Sequence, residues 1–539
     1  MHTTLVLLAL TALQSPDATP RGLRTNTPLA TPGYTLVAPL RSTSTYLIDN
    51  AGRTVHEWKS DLPPGQAVYL QPNGRLLRTE RVANPTFRGG GQGGRLREFD
   101  WNGDVTWEYV LSDDQRCLHH DVKVLPNGNV LAIVWEMKTK EQALAVGRDP
   151  EQANNGLWAD AVIEIEPVRP SGGKIVWEWH AIDHLVQARD AALPNYAPIA
   201  SRPARLNIDA DLALRAAPAD AARDRERLKK IGYVGEDDPA ARGGRGGQDG
   251  PGRAGGMDGD WTHANGIDWH PELDVIVLSS RTLSEVWVID HSTTSAEART
   301  SSGGRYGHGG DFLFRYGNPR THGGEARDQK LFVQHDPQWI GGSRLLVFNN
   351  GGLGHEHSSV DEIDLGITAE TLKQGFDPAA LANVKLAWTY TSPDIRSSHI
   401  SGAQRLANGH TLVAAGEPGL VREVDSKGNV VWDFASPFTG DVEERGGPPM
   451  GGAGPNGPRP DDANGPPPPR ERGDARGDGP GGAVPGGAPR GDDRGPRGRG
   501  RGGRGPGGGG GPFGFFRADR YAPDHPALRA LNPATGETK

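Results

Sequence analysis

Cysteine is nearly absent from this 539-residue chain, and Cys117 stands alone. A single thiol excludes any intrachain disulfide, so packing and hydrogen bonds must hold the fold. Long apolar runs are missing too. The run Leu5 to Leu13 is too short to span a bilayer, and none elsewhere is long enough, so no membrane span is expected. Small and polar residues follow that run. Residues 1–20 therefore read as a signal peptide and imply a periplasmic or secreted protein, a buried first strand being the competing reading. Helical periodicity is scarce. Only "DADLALRAAPADAARDRERLKK", residues 209–230, is a good helix candidate, and it reads as a decoration on a loop. A strong excess of one charge is lacking: the net charge is -8, which gives a nucleic-acid partner no electrostatic support. No phosphate-binding loop or dinucleotide fingerprint occurs, so no nucleotide-driven reaction and no cofactor are indicated.

What the chain does contain is hairpins. Short runs of Val, Ile, Leu, Trp and Tyr alternate with Asn-Gly and Pro-Asn-Gly turns, the pattern of an all-β protein. One unit recurs six times, a turn followed by a strand ending in an aromatic. Its copies are "NAGRTVHEW", "NGDVTWEY", "GGKIVWEW", "GGDFLFRY", "VKLAWTY" and "KGNVVWDF". Trp58, Trp107, Trp177, Trp388 and Trp432 in these copies read as packing residues. A second unit, a turn-linked hairpin, follows most copies. Repeats of this kind predict a six-bladed β-propeller over residues 30–439, each blade a four-stranded sheet around a channel. A pair of β-sandwiches would give no reason for six similar units.

Two segments have a different composition. Residues 440–512 are rich in Gly, Pro, Arg and Asp and cannot bury enough apolar surface to order, so they read as a long disordered insertion. Residues 240–259 form a smaller loop of the same kind. The chain regains strand character at "FGFFRADRYAPDHPALRAL", and residues 513–539 are assigned to the closing segment and tail. The strand-rich stretch 33–49 would help to close the ring.

Laying the hairpins over one another brings "LPNGNVLAIV" onto "IGGSRLLVF" and His120 onto His335. The same alignment puts Asn265, Ser401 and Gln66 at the equivalent place. All five residues are polar, and each precedes an apolar strand. In a propeller they converge on one channel mouth. Arg281 ends the return strand of the Asn265 hairpin, so it belongs there together with His263. Phe516, Arg517, Arg520 and Tyr521 are candidates from the closing segment. A pocket of imidazoles, an amide and a guanidinium suits a tetrahedral oxyanion. A histidine there can act as nucleophile and another as acid or base.

Three motifs, "HHDVKVLPNGN", "DWTHANGIDWHPELDVIVLSSR" and "VQHDPQWIGGSRLLVFNNG", resemble the bacterial arylsulfate sulfotransferases, which are periplasmic six-bladed propellers. The resemblance implies transfer of a sulfuryl group from a small-molecule aryl sulfate donor to a phenolic acceptor. It assigns the nucleophile, carrier of a transient sulfo group, to His335. It assigns sulfate binding to His263, Asn265 and Arg281, and the histidine of the first His-Asp motif to His120, with His119 as a one-residue ambiguity. Enteric members of that family carry a disulfide near the site that Cys117 alone cannot form.

Other readings compete. Each histidine taken singly could merely satisfy backbone groups at a strand end. A metal-dependent propeller lyase or lactonase would use His120, His263 and His335 as ligands, though a guanidinium beside a cation opposes it. A non-catalytic ligand-binding propeller is a third reading. His355 and His357 have metal-like spacing but lie in a glycine loop.

Overall fold

A computed structural model describes residues 20–212, 259–351, 357–440, 513–529 and 531. The signal-peptide reading of residues 1–19, most of the 209–230 helix candidate, nearly all of the 240–259 loop, His355 and the insertion at 441–512 lie outside these residues.

The protein is all-β and propeller-like. Its larger sheets are antiparallel meanders in which consecutive strands pair, many of them through tight turns. Asn127 and Gly128 make one such turn, with Gly128 at φ 87°, a conformation that glycine adopts without a Cβ clash. One sheet runs Ala264–His270, Val275–Ser280, Glu285–Asp290 and Phe314–Tyr316. Another runs His335–Trp339, Arg344–Asn349, Ser359–Asp364 and Lys385–Thr391. An eight-stranded sheet consists of two meanders, Pro64–Leu70 to Val105–Val110 and Arg116–Val124 to Gly173–His180. A single parallel pairing of Gln66 with His120 joins them.

Two sheets draw on distant parts of the chain. Phe515–Tyr521 pairs with Tyr34–Pro39 and lies innermost in the sheet that continues through Ser44–Asp49 and Thr54–Lys59. Gly22–Asn26 adds an outer strand to the sheet of Ser401–Arg405, Thr411–Ala415, Leu420–Val424 and Val430–Ala435. Ordered sheet therefore starts ahead of residue 30.

Tryptophans lock neighbouring sheets. Trp58, Trp107, Trp177 and Trp432 are buried, and Trp388 is half-buried. Trp58 Nε1 donates to Asp100 O at 2.9 Å, Trp107 Nε1 to Gly172 O at 2.8 Å and Trp388 Nε1 to Ser426 O at 3.0 Å. Trp432 Nε1 donates to Asn50 O at 2.8 Å, which links the last sheet to the first. Each indole thus buries its ring and keeps its one donor satisfied.

Inner strands touch in cyclic order: Pro64–Leu70, Arg116–Val124, Ala264–His270, His335–Trp339, Ser401–Arg405, Phe515–Tyr521 and back to the first. Carboxylates latch these strands together. Asp121 Oδ2 accepts from Ile267 N at 3.0 Å, Asp268 Oδ2 from Trp339 N at 2.8 Å and Asp336 Oδ2 from Ala403 N at 2.9 Å. In both His-Asp motifs the acid therefore fastens its strand to the next one. Arg517 sits among them, with Nη2 2.9 Å from Asp121 Oδ2 and Nη1 3.0 Å from Asp336 Oδ1.

Removing Arg517 leaves two buried carboxylates without their cation. Arg517→Met is expected to cost about 3–5 kcal/mol, the range for breaking a buried ion pair. Thermal unfolding followed by circular dichroism should show a midpoint several degrees lower, and an unchanged midpoint would show that the guanidinium is dispensable.

Candidate active site

The polar ring lies where the inner strands are bent. Register shifts interrupt pairing near Gln66, His120, Asn265 and His335. Among the described residues, eight non-glycine residues have positive φ, and six belong to this level: Gln66 at 121°, His120 at 52°, His263 at 49°, Val333 at 48°, Asp336 at 55° and Ile400 at 40°. Such backbone costs about 1–3 kcal/mol per residue and collects at functional sites. Bulges also re-aim side chains, which lets consecutive residues such as His119 and His120 approach each other.

His335 is fully buried, and its tautomer follows from its partners. Nδ1 lies 2.8 Å from Asn350 Oδ1 and 3.1 Å from Val333 O. A carbonyl only accepts, so Nδ1 carries the hydrogen. The Asn350 amide cannot be turned round, because its Nδ2 donates to Ser397 O at 2.6 Å and to Ser401 Oγ at 2.9 Å. Nε2 of His335 is left with a bare lone pair and no hydrogen-bond partner among the described residues. Burial, then Arg281 and the histidines 399 and 263, hold the His335 pKa well below its usual value, so the ring is neutral.

Facing it are the other predicted residues. The His120 ring centroid lies 4.6 Å from that of His263, and Phe516 stands 6.2 Å from His120 and 6.3 Å from His335. Burial, then mutual repulsion within the imidazole cluster of His263, His119 and His335 and from Arg281, also holds the His120 pKa well below its usual value. Arg281 N donates to His263 O at 3.0 Å, and Asn265 Nδ2 donates to Gln334 O at 2.8 Å. His263 Nδ1 is held by Asp260 Oδ2. No carboxylate of the described residues lies in salt-bridge range of Arg281, whose Nε lacks a partner, as do Asn265 Oδ1 and both amide atoms of Gln66. Buried polar atoms are normally paired, so this concentration marks a place made for a polar ligand.

His119 and His120 are separated by their surroundings. His119 stacks on Trp135 at 4.0 Å, away from the other ring residues. Its Nδ1 lies 2.8 Å from His120 Nδ1, and its Nε2 stands 3.0 Å from Asp160 Oδ1 without the alignment of a hydrogen bond. Asp160, His119 and His120 form a file leading into the pocket. The His120 ring rests on Gly91, where a Cβ would lie 2.0 Å from its Cε1 and Nε2.

Two candidates fall elsewhere. Arg520 binds Glu423 and Thr35 and stacks over Trp432, so it packs between sheets. Tyr521 accepts from Leu70 N at 2.9 Å and lines a cavity farther along the inner strands. Their strand alternates its side chains, and only Phe516 reaches the histidines. Arg517 is occupied by Asp121 and Asp336. Asp336 does not orient the His335 ring; Asn350 and Val333 do. Cys117 is buried in an apolar cluster with Phe87, Trp135 and Trp158, and its thiol is pushed up to about 12 by burial.

Further residues went unforeseen. His399 acts electrostatically on His335, and its Nδ1 lies 2.5 Å from Ser398 Oγ. His399 precedes Ser401 by the same step as His263 precedes Asn265, so the repeat alignment carried that signal. Asn350 follows its return strand as Arg281 follows its own. Gly91, in "RGGGQGG", gave no such signal.

A profile of the family described as Arylsulfotransferase (ASST) matches residues 35–434. Among the curated proteins none matches the chain. Solved structures that the chain matches include a protein of unknown function from Bacteroides caccae, with 10% identity over 75% of this chain and 94% of that one, TM-score 0.36. They also include virginiamycin B lyase from Staphylococcus aureus, with 11% identity over 76% and 84%, TM-score 0.32, and apo AztD from Citrobacter koseri, with 7% identity over 75% and 95%, TM-score 0.31.

A histidine kept neutral in the fold but free to protonate when unfolded makes stability pH-dependent. Below about pH 6.5 the unfolded chain takes up protons that His120 and His335 refuse, so stability falls as pH falls. The loss is about 1.4 kcal/mol per pH unit for each histidine. His335→Gln should make the acid limb of the thermal midpoint against pH shallower; an identical limb would show that His335 is protonated in the fold.

Proposed function

The chain belongs to the arylsulfotransferase family and is a sulfotransferase; we propose that it carries a sulfuryl group from an aryl sulfate ester to a phenolic acceptor on His335. The observation behind this reading is the bare Nε2 of a buried, neutral His335 beside a guanidinium that has no carboxylate partner among the described residues.

In the first half-reaction His335 Nε2 attacks sulfur and the bond from sulfur to the aryl oxygen breaks. Arg281 and His263 hold the sulfuryl oxygens together with the Nδ2 hydrogen that Asn265 does not give to Gln334 O, where fixed donors in a dry site act strongly on developing charge. The anionic ester raises the proton affinity of His120, which gives a proton to the departing oxygen. Asp160, through His119, stabilises the imidazolium. In the second half-reaction the acceptor phenol passes its proton to His120 and its oxygen attacks the sulfo group. His335 is then restored. Asn350 is a positioning residue, since it sets which nitrogen attacks.

We also read the chain as a periplasmic or secreted six-bladed propeller with blades over residues 30–439, an insertion at 440–512 and a closing segment at 513–539. The cyclic contacts of the inner strands support this count. The metal-dependent lyase or lactonase reading gains nothing from the geometry, because no group of three or more His, Cys, Asp or Glu among the described residues is arranged to hold a metal and the Arg281 guanidinium acts on His335.

With 4-nitrophenyl sulfate as donor, His335→Ala should lose both turnover and the acid-labile sulfo label that the wild type gains when no acceptor is present. His120→Ala should turn over at least about a hundredfold more slowly yet still label, because nitrophenolate leaves without a proton. Labelling of His335→Ala but not of His120→Ala would exchange the two roles. Because the His335 pKa is depressed, the acid limb of kcat/KM should lie well below the ordinary histidine value of about 6.5, and a limb at that value would contradict a buried neutral nucleophile. Gly91→Ala should impair turnover and also lower the midpoint of unfolding, because its Cβ displaces the buried His120 ring and alanine is strained at φ 86°; full activity would remove His120 from the mechanism.

A further inference from the structure

Beyond the histidine level, the inner strands line a second cavity of about 300 Å³. Lys123, Asp268, Asp336, Trp339, Arg517, Asp519 and Tyr521 face it. Counting Asp121, which Arg517 holds from behind, four carboxylates share two cations. Three of the four are committed. Asp121 and Asp336 bind Arg517, and Asp268 binds Lys123 Nζ at 2.6 Å and Trp339 N. Asp519 is the one left over. It is 8% exposed, and it has no hydrogen bond or ion pair from its carboxyl among the described residues.

We propose that this cavity binds a small organic amine, its ammonium group paired with Asp519 and its carbon skeleton against the rings of Trp339 and Tyr521. The charge balance excludes an anion. A divalent cation would need several free carboxylates, and no group of three or more His, Cys, Asp or Glu among the described residues is arranged to hold a metal. One unpaired carboxylate beside aromatic walls matches a single ammonium on an apolar body. Burial, with repulsion from Asp336 and Asp121 outweighing the attraction of Arg517 and Lys123, raises the Asp519 carboxyl to about 7. Tyr69 and Tyr521, also buried, stay protonated. Amine binding requires Asp519 ionised, so affinity should rise through pH 7 and level off above it, by about tenfold per unit on the acid side.

Isothermal titration of the full chain with benzylammonium chloride at pH 6 and pH 8 tests this, with benzyl alcohol as the uncharged control. One saturable site, about tenfold tighter at pH 8 and absent for the alcohol, is expected. Asp519→Asn should weaken it at least tenfold, whereas His335→Ala should bind as the wild type does. If Asp519→Asn does not fold, Trp339→Ala replaces it and should weaken binding likewise. No saturation at millimolar amine, equal affinity in the folded variants, displacement by calcium, or loss of the site in His335→Ala would each overturn the proposal.

Discussion

A single guanidinium ties the centre of this protein together. Arg517 comes from the closing strand Phe515–Tyr521, yet it binds Asp121 and Asp336, acids from two separate sheets. Tyr69, from the other meander of the eight-stranded sheet that carries Asp121, binds both Asp121 and Arg517. Each acid also accepts a backbone N–H from the following inner strand. Buried carboxylates of this kind would repel one another without a cation, and a lone cation would be as costly. Satisfied together, they set the mutual position of the inner strands and so the distance between the histidines those strands carry.

The same strands pay for the site in backbone strain. Positive φ at His120, His263, Val333, Asp336 and Ile400 bends each one where its polar side chain must turn inward. The result is a dry nest of imidazoles that repel each other's protons. His120 and His335 are kept neutral by burial first and by repulsion from Arg281 and the clustered imidazoles second. Neutrality is what a nitrogen nucleophile needs, and an anionic ester is what such a cluster attracts. Family membership, with residues 35–434 matched, and the geometry converge on sulfuryl transfer.

Two levels of the inner strands thus have opposite character. Unpartnered donors and lone pairs collect at the histidine level, while an unpaired carboxylate stands at the other. Arg517 separates the two.

Much of this was legible in the sequence. Period-two patterning and repeated turns determined the all-β class, because alternation and turn chemistry are local properties. Aligning the repeats placed His120, Asn265 and His335 at one level, because equivalent repeat positions share a place in a repeated unit. It held His399 as well, had the step from His263 to Asn265 been carried across. Other features depended on contacts between distant strands. Asn350 orients His335 only because Ser397 and Ser401 fix its amide from the neighbouring sheet. Gly91 matters only because a loop folds back over His120. Arg520 and Arg517 look alike in sequence, and pleating alone sends one between sheets and the other to the axis. Hydrogen-bond direction and burial are properties of the assembled structure, and they decide which histidine nitrogen is free to react.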